Sequence, residues 1–345
     1  MIAQDTILEI LSEHLPDFEP TGSLQPLQGG NLNHVWRLPG KKHSIVIKWA
    51  PPHIAANPEV PLSPRRLTFE ARALDLFADS GLLESLATET IRPPKLLHFE
   101  QNQHLLVMED FGPIPSLADW ISSEGQSNIG HQIGTFIGKL HKITFHRTSL
   151  GQHFHNIDIQ QTRKNVQYNP AADYLRKIGL SNVDSNRVAQ KTKALGQLLL
   201  EPGKCLVMGD LWPPSVLVDV GNLRLIDWEF THYGRPLQDV GHFAAHCWMQ
   251  AQRSGRGISF RRLWKQFWDA YRQTLGDTFV QLFDEAELEA MATHAGAEIL
   301  VRATGPFKNG YVYEELDTEH PAVRTAVQKA AELILAERWE PLWDS

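Results

Sequence analysis

The stretch VMGDLWPPSVLVDVGNLRLIDWEF (residues 207–230) places acids at both ends of two short apolar runs, 216–218 and 223–226. The runs flank a Gly221-Asn222 pair, which is the pattern of a β-hairpin. A lone aspartate usually caps a turn. Here, however, a hairpin folds the chain back and brings Asp210 and Asp227 near one another. Like charges held together are costly unless a cation sits with them. The set matches what phosphoryl transfer needs: a carboxylate that orients a hydroxyl and receives its proton, then metal-binding oxygens. In that reading Asp210 is the catalytic base. Asp227 holds Mg²⁺, with Ser215 assisting and Glu229 on a second ion.

Working outward, Ser44-Ile45-Val46-Ile47-Lys48 is a β-like run ending in lysine, and Glu70 follows on a helically spaced segment. In kinases a strand lysine contacts nucleotide phosphates and a helix glutamate fixes it. Either residue alone is an ordinary solvated charge; upstream of the two aspartates they become a pair. Ahead of them, Gln28-Gly29-Gly30-Asn31-Leu32-Asn33 forms a turn between strands. Its glycines let backbone N–H groups approach phosphates, so Gly29, Gly30, Asn31 and Asn33 are candidate nucleotide contacts. No G-K-[ST] follows, which excludes a Walker A loop. The apolar run Leu105-Leu106-Val107-Met108 enters Glu109-Asp110-Phe111-Gly112, so Val107, Met108 and Glu109 are candidates for a hinge presenting backbone groups to adenine. A strand ending in a solvated turn reads equally well there.

The remaining pattern splits the chain. Helical spacing is expected over 5–15 and 67–77, and strands over 35–38, 44–49, 95–99 and 104–108. Residues 50–64 carry five prolines and read as a loop. From Leu117 onward the pattern is helical, as at 260–274 and 285–302, apart from the 206–227 segment. This gives an α+β fold, with a β-rich lobe over 1–110 and a mainly helical lobe over 111–345.

At 345 residues and 42% hydrophobic content the chain can bury a large core. A net charge of −7 argues against a nucleic-acid coat. No apolar run approaches the length of a membrane span. Two cysteines, Cys205 and Cys247, are too few for a disulfide framework and point to a reducing, cytoplasmic setting. His242 and His246 stand four apart, but no H-E-x-x-H links them, and packing or a substrate-facing role is favoured over zinc. Trp212, Trp228 and Trp248 are candidates for an acceptor wall or, as ordinarily, for core. Oligomeric state is not legible.

Together these residues resemble the aminoglycoside phosphotransferase and choline-kinase-like superfamily. The resemblance rests on the Lys48/Glu70 pair, Ile133-Gly134 with Gly138-Lys139-Leu140-His141, the Gly209-Asp210-Leu211-Trp212 run and Asp227-Trp228-Glu229. Met208 and Ser215 stand where the aminoglycoside enzymes carry His and Asn. Ser215, Glu229 and Tyr233-Gly234 are more similar to methylthioribose kinases. Trp212 and Asp239-Val240-Gly241 resemble a fungal branch of that family. The resemblance implies a bilobal, protein-kinase-like fold, ATP and Mg²⁺ as cofactors, and a small-molecule hydroxyl substrate. It also marks Arg302 as part of an arginine pair at the acceptor, although Ala303 follows it. The acceptor stays open between a sugar, a flat aromatic amine and an aminoglycoside. A catalytically inactive binding protein on the same fold is the rival from another class. If Asp227 holds the metal, Asp227→Ala should abolish Mg²⁺-dependent nucleotide binding; unchanged Mg·ATP affinity by calorimetry would exclude the role.

Overall fold

The computed structural model describes residues 2–27, 32–121, 128–180, 183–336, 338–339 and 342–343. It divides into two compact units. One comprises Met1–Ile114 with Leu217–Thr231, and the other Pro115–Val216 with His232–Ser345.

The first unit is built on a five-stranded antiparallel sheet in the order Gln25–Pro26, His34–Leu38, Ile45–Trp49, Leu105–Glu109, Leu96–Glu100. Successive strand side chains point to opposite faces. Ile45, Ile47, Leu105 and Val107 accordingly pack with Leu38 against Ile7 and Leu11 of the Gln4–His14 helix. The alternate residues Val46, Lys48, Leu106 and Met108 share the other face, since Lys48 pairs with Leu106 and Val46 with Met108. The Arg66–Leu76 helix turns Arg66 and Glu70, one helical turn apart, into the interior. Arg66 is fully buried. Its guanidinium donates to Asn33 Oδ1 and to the carbonyls of Leu32, Pro51, Leu62 and Ser63, so the helix ties down the residues on both sides of the second strand pair.

Two local departures from the expected pattern have simple causes. Residues 50–64, expected as loop, contain a small antiparallel pair, His53–Ile54 with Asn57–Pro61. Proline is tolerated at such an edge because no inner ladder needs its missing N–H. In the 207–230 segment the strands Val216–Asp219 and Asn222–Leu225 form as expected, with Ile91–Arg92 added in parallel. Their turn is centred on Val220 and Gly221, both at positive φ, rather than on Gly221-Asn222. Positive φ at two central residues matches the twist of flanking strands.

The second unit is mainly helical, with one short pair, Cys205–Val207 against His232–Gly234. Its core joins the Ile129–Thr144, Leu237–Arg253, Gly257–Leu275 and Glu285–Ala303 helices. Gly130 and Gly134 recur along the inner face of the first of these. A Cβ at either would collide with a carbonyl oxygen of the Gly257–Leu275 helix, that of Leu263 or Phe267. The two helices therefore lie closer than larger residues would allow. Among the described residues no helix is long and apolar enough to cross a membrane. Gly134→Val should lower stability by about 1–3 kcal/mol through overpacking, read as a lower urea midpoint; an unchanged midpoint would show that the helices can part freely.

Candidate active site

In the first unit Lys48, from the middle strand, is 3% exposed and projects between carboxylates. Its Nζ lies 2.8 Å from Glu70 Oε1, 2.7 Å from Asp227 Oδ1 and 3.6 Å from Glu229 Oε2. Burial works against the ammonium, yet Asp227, Glu70 and Glu229 hold its pKa well above the ordinary lysine value. Asp227 reaches this position through a left-handed backbone, φ 66°, unusual outside glycine. Trp228 N–H donates weakly to Glu70 at 3.4 Å. Glu229 accepts from Asn33 Nδ2 at 2.6 Å, and Asn33 accepts in turn from Arg66 Nε at 2.8 Å.

Glu70, Asp227 and Glu229 bring carboxylate oxygens within 4.8 Å of one another. Three carboxylates crowd one ammonium, and burial and this crowding push the Glu70 and Glu229 carboxyls up; Glu70 Oε2 is buried with no hydrogen-bond partner among the described residues. Crowded carboxylate oxygens, which a cation would relieve of their mutual repulsion, suit a hard divalent ion such as Mg²⁺. The residues present thus fit the metal that this chemistry needs.

The second unit holds Asp210. Its loop is anchored by Asp239, fully buried, which accepts from Met208 N–H at 2.9 Å and Gly209 N–H at 2.7 Å. Asp239 also accepts from His141 Nε2 at 3.0 Å, and Tyr271 O–H completes the chain on His141 Nδ1 at 2.8 Å. Gly209 takes φ 85°, a value that favours glycine, and turns Asp210 out of the strand. Arg163 lies directly before the π-helical Lys164–Tyr168 turn. It donates to Gly209 O and, at 3.0 Å, to Asp210 Oδ1. His242 Nε2 also lies 3.2 Å from that oxygen. Burial alone would push the Asp210 carboxyl up. His242, Arg163 and Arg302 outweigh it and hold it at about 2.

Around Asp210, Glu298 Oε1 accepts from His246 Nε2 at 3.0 Å and Arg302 Nε at 2.8 Å. Burial and the charge of His242 keep His246 neutral, near 3. His246 Nε2–H is therefore the donor to Glu298, and Nδ1 accepts from Tyr311 O–H at 2.6 Å. The Arg302 guanidinium stacks on Trp212 at 4.7 Å and Tyr311 at 5.2 Å, each of the three partly exposed.

Other candidates fall elsewhere. Trp228 is wholly buried against Phe77, with Nε1 donating to Leu225 O; it is core and cannot form an acceptor wall. Val107 pairs on both strand edges and its side chain joins the helix-facing core, so the hinge reading does not extend to it. Glu109 is tied to Arg92 in a bidentate pair, and its N–H donates to Lys95 O. Met108 shares the Lys48 face. Ser215 is buried, its hydroxyl donating to Trp212 O at 2.9 Å and Asp210 O at 3.4 Å, and it locks the turn carrying Asp210. Gly29, Gly30 and Asn31 lie outside the described residues.

The family model described as "Phosphotransferase enzyme family" matches residues 23–279, and the chain belongs to that family. Among curated relatives it is 28% identical over 273 residues to a 4-hydroxytryptamine kinase of Psilocybe cyanescens, covering 72% of this chain and 74% of that one. It is 23% identical over 304 residues to a methylthioribose kinase of Exiguobacterium sibiricum, covering 83% and 75%. A putative aminoglycoside phosphotransferase from Ralstonia eutropha shares the fold at TM-score 0.55 and 15% identity, covering 99% and 98%. A spectinomycin phosphotransferase solved with ADP and spectinomycin does so at 0.55 and 13%, covering 97% and 98%. The protein is a small-molecule kinase, an enzyme that phosphorylates a hydroxyl, on the protein-kinase-like fold.

Glu229 supplies a pH test of the carboxylate cluster. Burial pushes its carboxyl up, Lys48 draws it back, and Glu70 and Asp227 push it up again, to about 8 against an ordinary 4.5. The fold thus binds this proton more tightly than the unfolded chain does. Its contribution is complete below about pH 4.5 and is lost as pH rises toward about 8. In chelator, Glu229→Gln should lose less thermal stability than wild type across this window; parallel pH profiles would reject the assignment.

Proposed function

We propose that this kinase transfers the γ-phosphoryl group of ATP to a hydroxyl of a small molecule of the methylthioribose type, with Asp210 as the base. The observation that carries the reading is the buried Lys48 ammonium held by Glu70, Asp227 and Glu229 in one compact unit. Lys48 is the cation for nucleotide phosphates, and Glu70 keeps it in place. Asp227 and Glu229 are the carboxylates for Mg²⁺, which when bound neutralises charge on the phosphates. Asn33 orients Glu229. Met108 packs toward the nucleotide, and backbone groups at Glu109 begin the adenine hinge. ATP use is supported by the ADP bound to the spectinomycin enzyme and by the AMP-PNP bound to an amicoumacin kinase of related fold.

At Asp210, Arg163 and His242 both approach Oδ1, which leaves Oδ2 for the acceptor hydroxyl. The hydroxyl oxygen attacks phosphorus as the bond to ADP breaks, and its proton passes to Oδ2. Trp212 and Arg302 contact the acceptor. A hydroxyindole is the second reading of that acceptor. It is favoured by the aromatic pair Trp212 and Tyr311, 5.4 Å apart, and by the likeness to 4-hydroxytryptamine kinases. Two buried free cysteines, Cys205 and Cys247, support a cytoplasmic setting.

The test is ATP consumption against methylthioribose, 4-hydroxytryptamine and spectinomycin, with mass spectrometry of the product. A phosphate adduct on methylthioribose is the expected outcome, and an adenylyl adduct or no adduct would refute the reading. Asp210→Asn should fold and bind ATP like the wild type while losing about 10²–10⁴-fold in kcat; near-normal turnover would remove Asp210 from the chemistry.

A further inference from the structure

We propose that His242 is a positioning residue, with Glu298 behind it, that holds the Asp210 carboxylate so that its Oδ2 faces the acceptor. The inference deepens, and rests on, the reading of Asp210 as the base. His242 projects from the Leu237–Arg253 helix and is fully buried. Its Nε2 lies 3.2 Å from Asp210 Oδ1, and its Nδ1 lies 3.7 Å from Glu298 Oε2. Neither nitrogen completes a hydrogen bond of good geometry among the described residues. A buried imidazole with both nitrogens unmatched is costly. Both nitrogens nevertheless point to carboxylates, on two different elements.

The neighbours explain why this contact is directed. Glu298 Oε1 is occupied by His246 and Arg302, leaving Oε2 for His242. His246 is itself satisfied on both sides, by Glu298 and Tyr311, and cannot swing to take over. Its ring and that of His294 flank His242, at 4.5 and 5.8 Å between centroids. Catalytic hydrogen bonds are often long without substrate and tighten once it binds. His242 is therefore set to close on Oδ1 when an acceptor hydroxyl engages Oδ2.

The atoms of His242, His246 and Glu298 also lie within 4.8 Å, as a metal triad would. Arg302 bonded to the same Glu298, together with the filled hydrogen bonds of His246, opposes a dication there.

The experiment compares His242→Ala, His242→Gln and Glu298→Gln with Asp210→Asn. Phosphoryl transfer is measured to methylthioribose, to 4-hydroxytryptamine and to water, alongside Mg·ATP affinity and thermal stability. His242→Ala should lose about 10- to 100-fold in kcat, the weight of one hydrogen bond to a charged group, with KM for ATP within about two-fold of wild type. His242→Gln, whose amide can still donate to Oδ1, should recover several-fold of that loss. Glu298→Gln should lose about 3- to 10-fold and decides the matter if the alanine variant does not fold. Wild-type kcat in His242→Gln and Glu298→Gln, equal losses in the Gln and Ala variants together with weakened ATP binding, or stoichiometric zinc in the purified protein would each overturn the proposal. If Asp210→Asn retains turnover, the base assignment itself fails; if it is inactive while the His242 variants run normally, only the positioning role fails.

Discussion

A lysine ammonium with almost no solvent access must be paired, because burying an isolated charge costs far more than one ion pair returns. Lys48 meets this constraint with three carboxylates, and much of the first unit is arranged to bring them there. Its strand alternation points it away from the face that packs on Ile7 and Leu11. Arg66 and Glu70, on one helix face, supply a guanidinium that holds Asn33 and a carboxylate that holds Lys48. Asn33 closes the circuit by donating to Glu229. Replacing one member exposes the others to an uncompensated charge, so these residues act as a set.

The second unit solves the opposite problem, that of keeping one carboxylate ionised. Asp239 contributes the geometry, by accepting two backbone N–H groups and His141 so that the chain leaves the strand at Gly209 in one direction. Ser215 closes the following turn on the carbonyl of Asp210 itself. Backbone geometry thus sets where the Asp210 side chain emerges, and the cationic groups of other helices then set its charge.

What could be read from the sequence follows the range of the interactions. Strands and helices with a clear period, such as Ile45–Trp49 and Glu285–Ala303, were legible because each residue's environment repeats along the chain. Lys48, Glu70 and Asp227 stood out in the sequence because phosphate chemistry asks for those types in that order, and the structure pairs Lys48 with both acids. Arg163 and Glu298 carried no signal: each reaches the surroundings of Asp210 from a helix distant in sequence, and only the packing of the second unit joins them. His242 and His246 showed their helical spacing, but not that a carboxylate on another helix lies beside both. Trp228 misled because an aromatic next to a functional acid fits a ligand wall and a core equally well, and burial decides between them. Ser215 showed its polar type in the sequence, but not that its side chain bonds its own turn, a competition that polar residues near turns offer.

If Asp210 is the base, as proposed, its low pKa bears on what kind of base it is. A carboxylate held near 2 is a weak proton acceptor at neutral pH, and it could not drive a reaction that required full deprotonation of the nucleophile first. Phosphoryl transfer makes no such demand, since its loose transition state has little bonding to the incoming oxygen, and the proton needs to leave only late. The premium is on orienting the hydroxyl lone pair toward phosphorus. Under the proposed role, a carboxylate that stays charged and is bonded at one oxygen by Arg163 meets that requirement better than a stronger but mobile base. The same argument explains why cations are gathered about Asp210 in one unit while the other accumulates carboxylates. In the proposed reaction the unit of Asp210 supplies a fixed anion for a neutral hydroxyl, and the unit of Lys48 supplies a cluster of carboxylates for a metal.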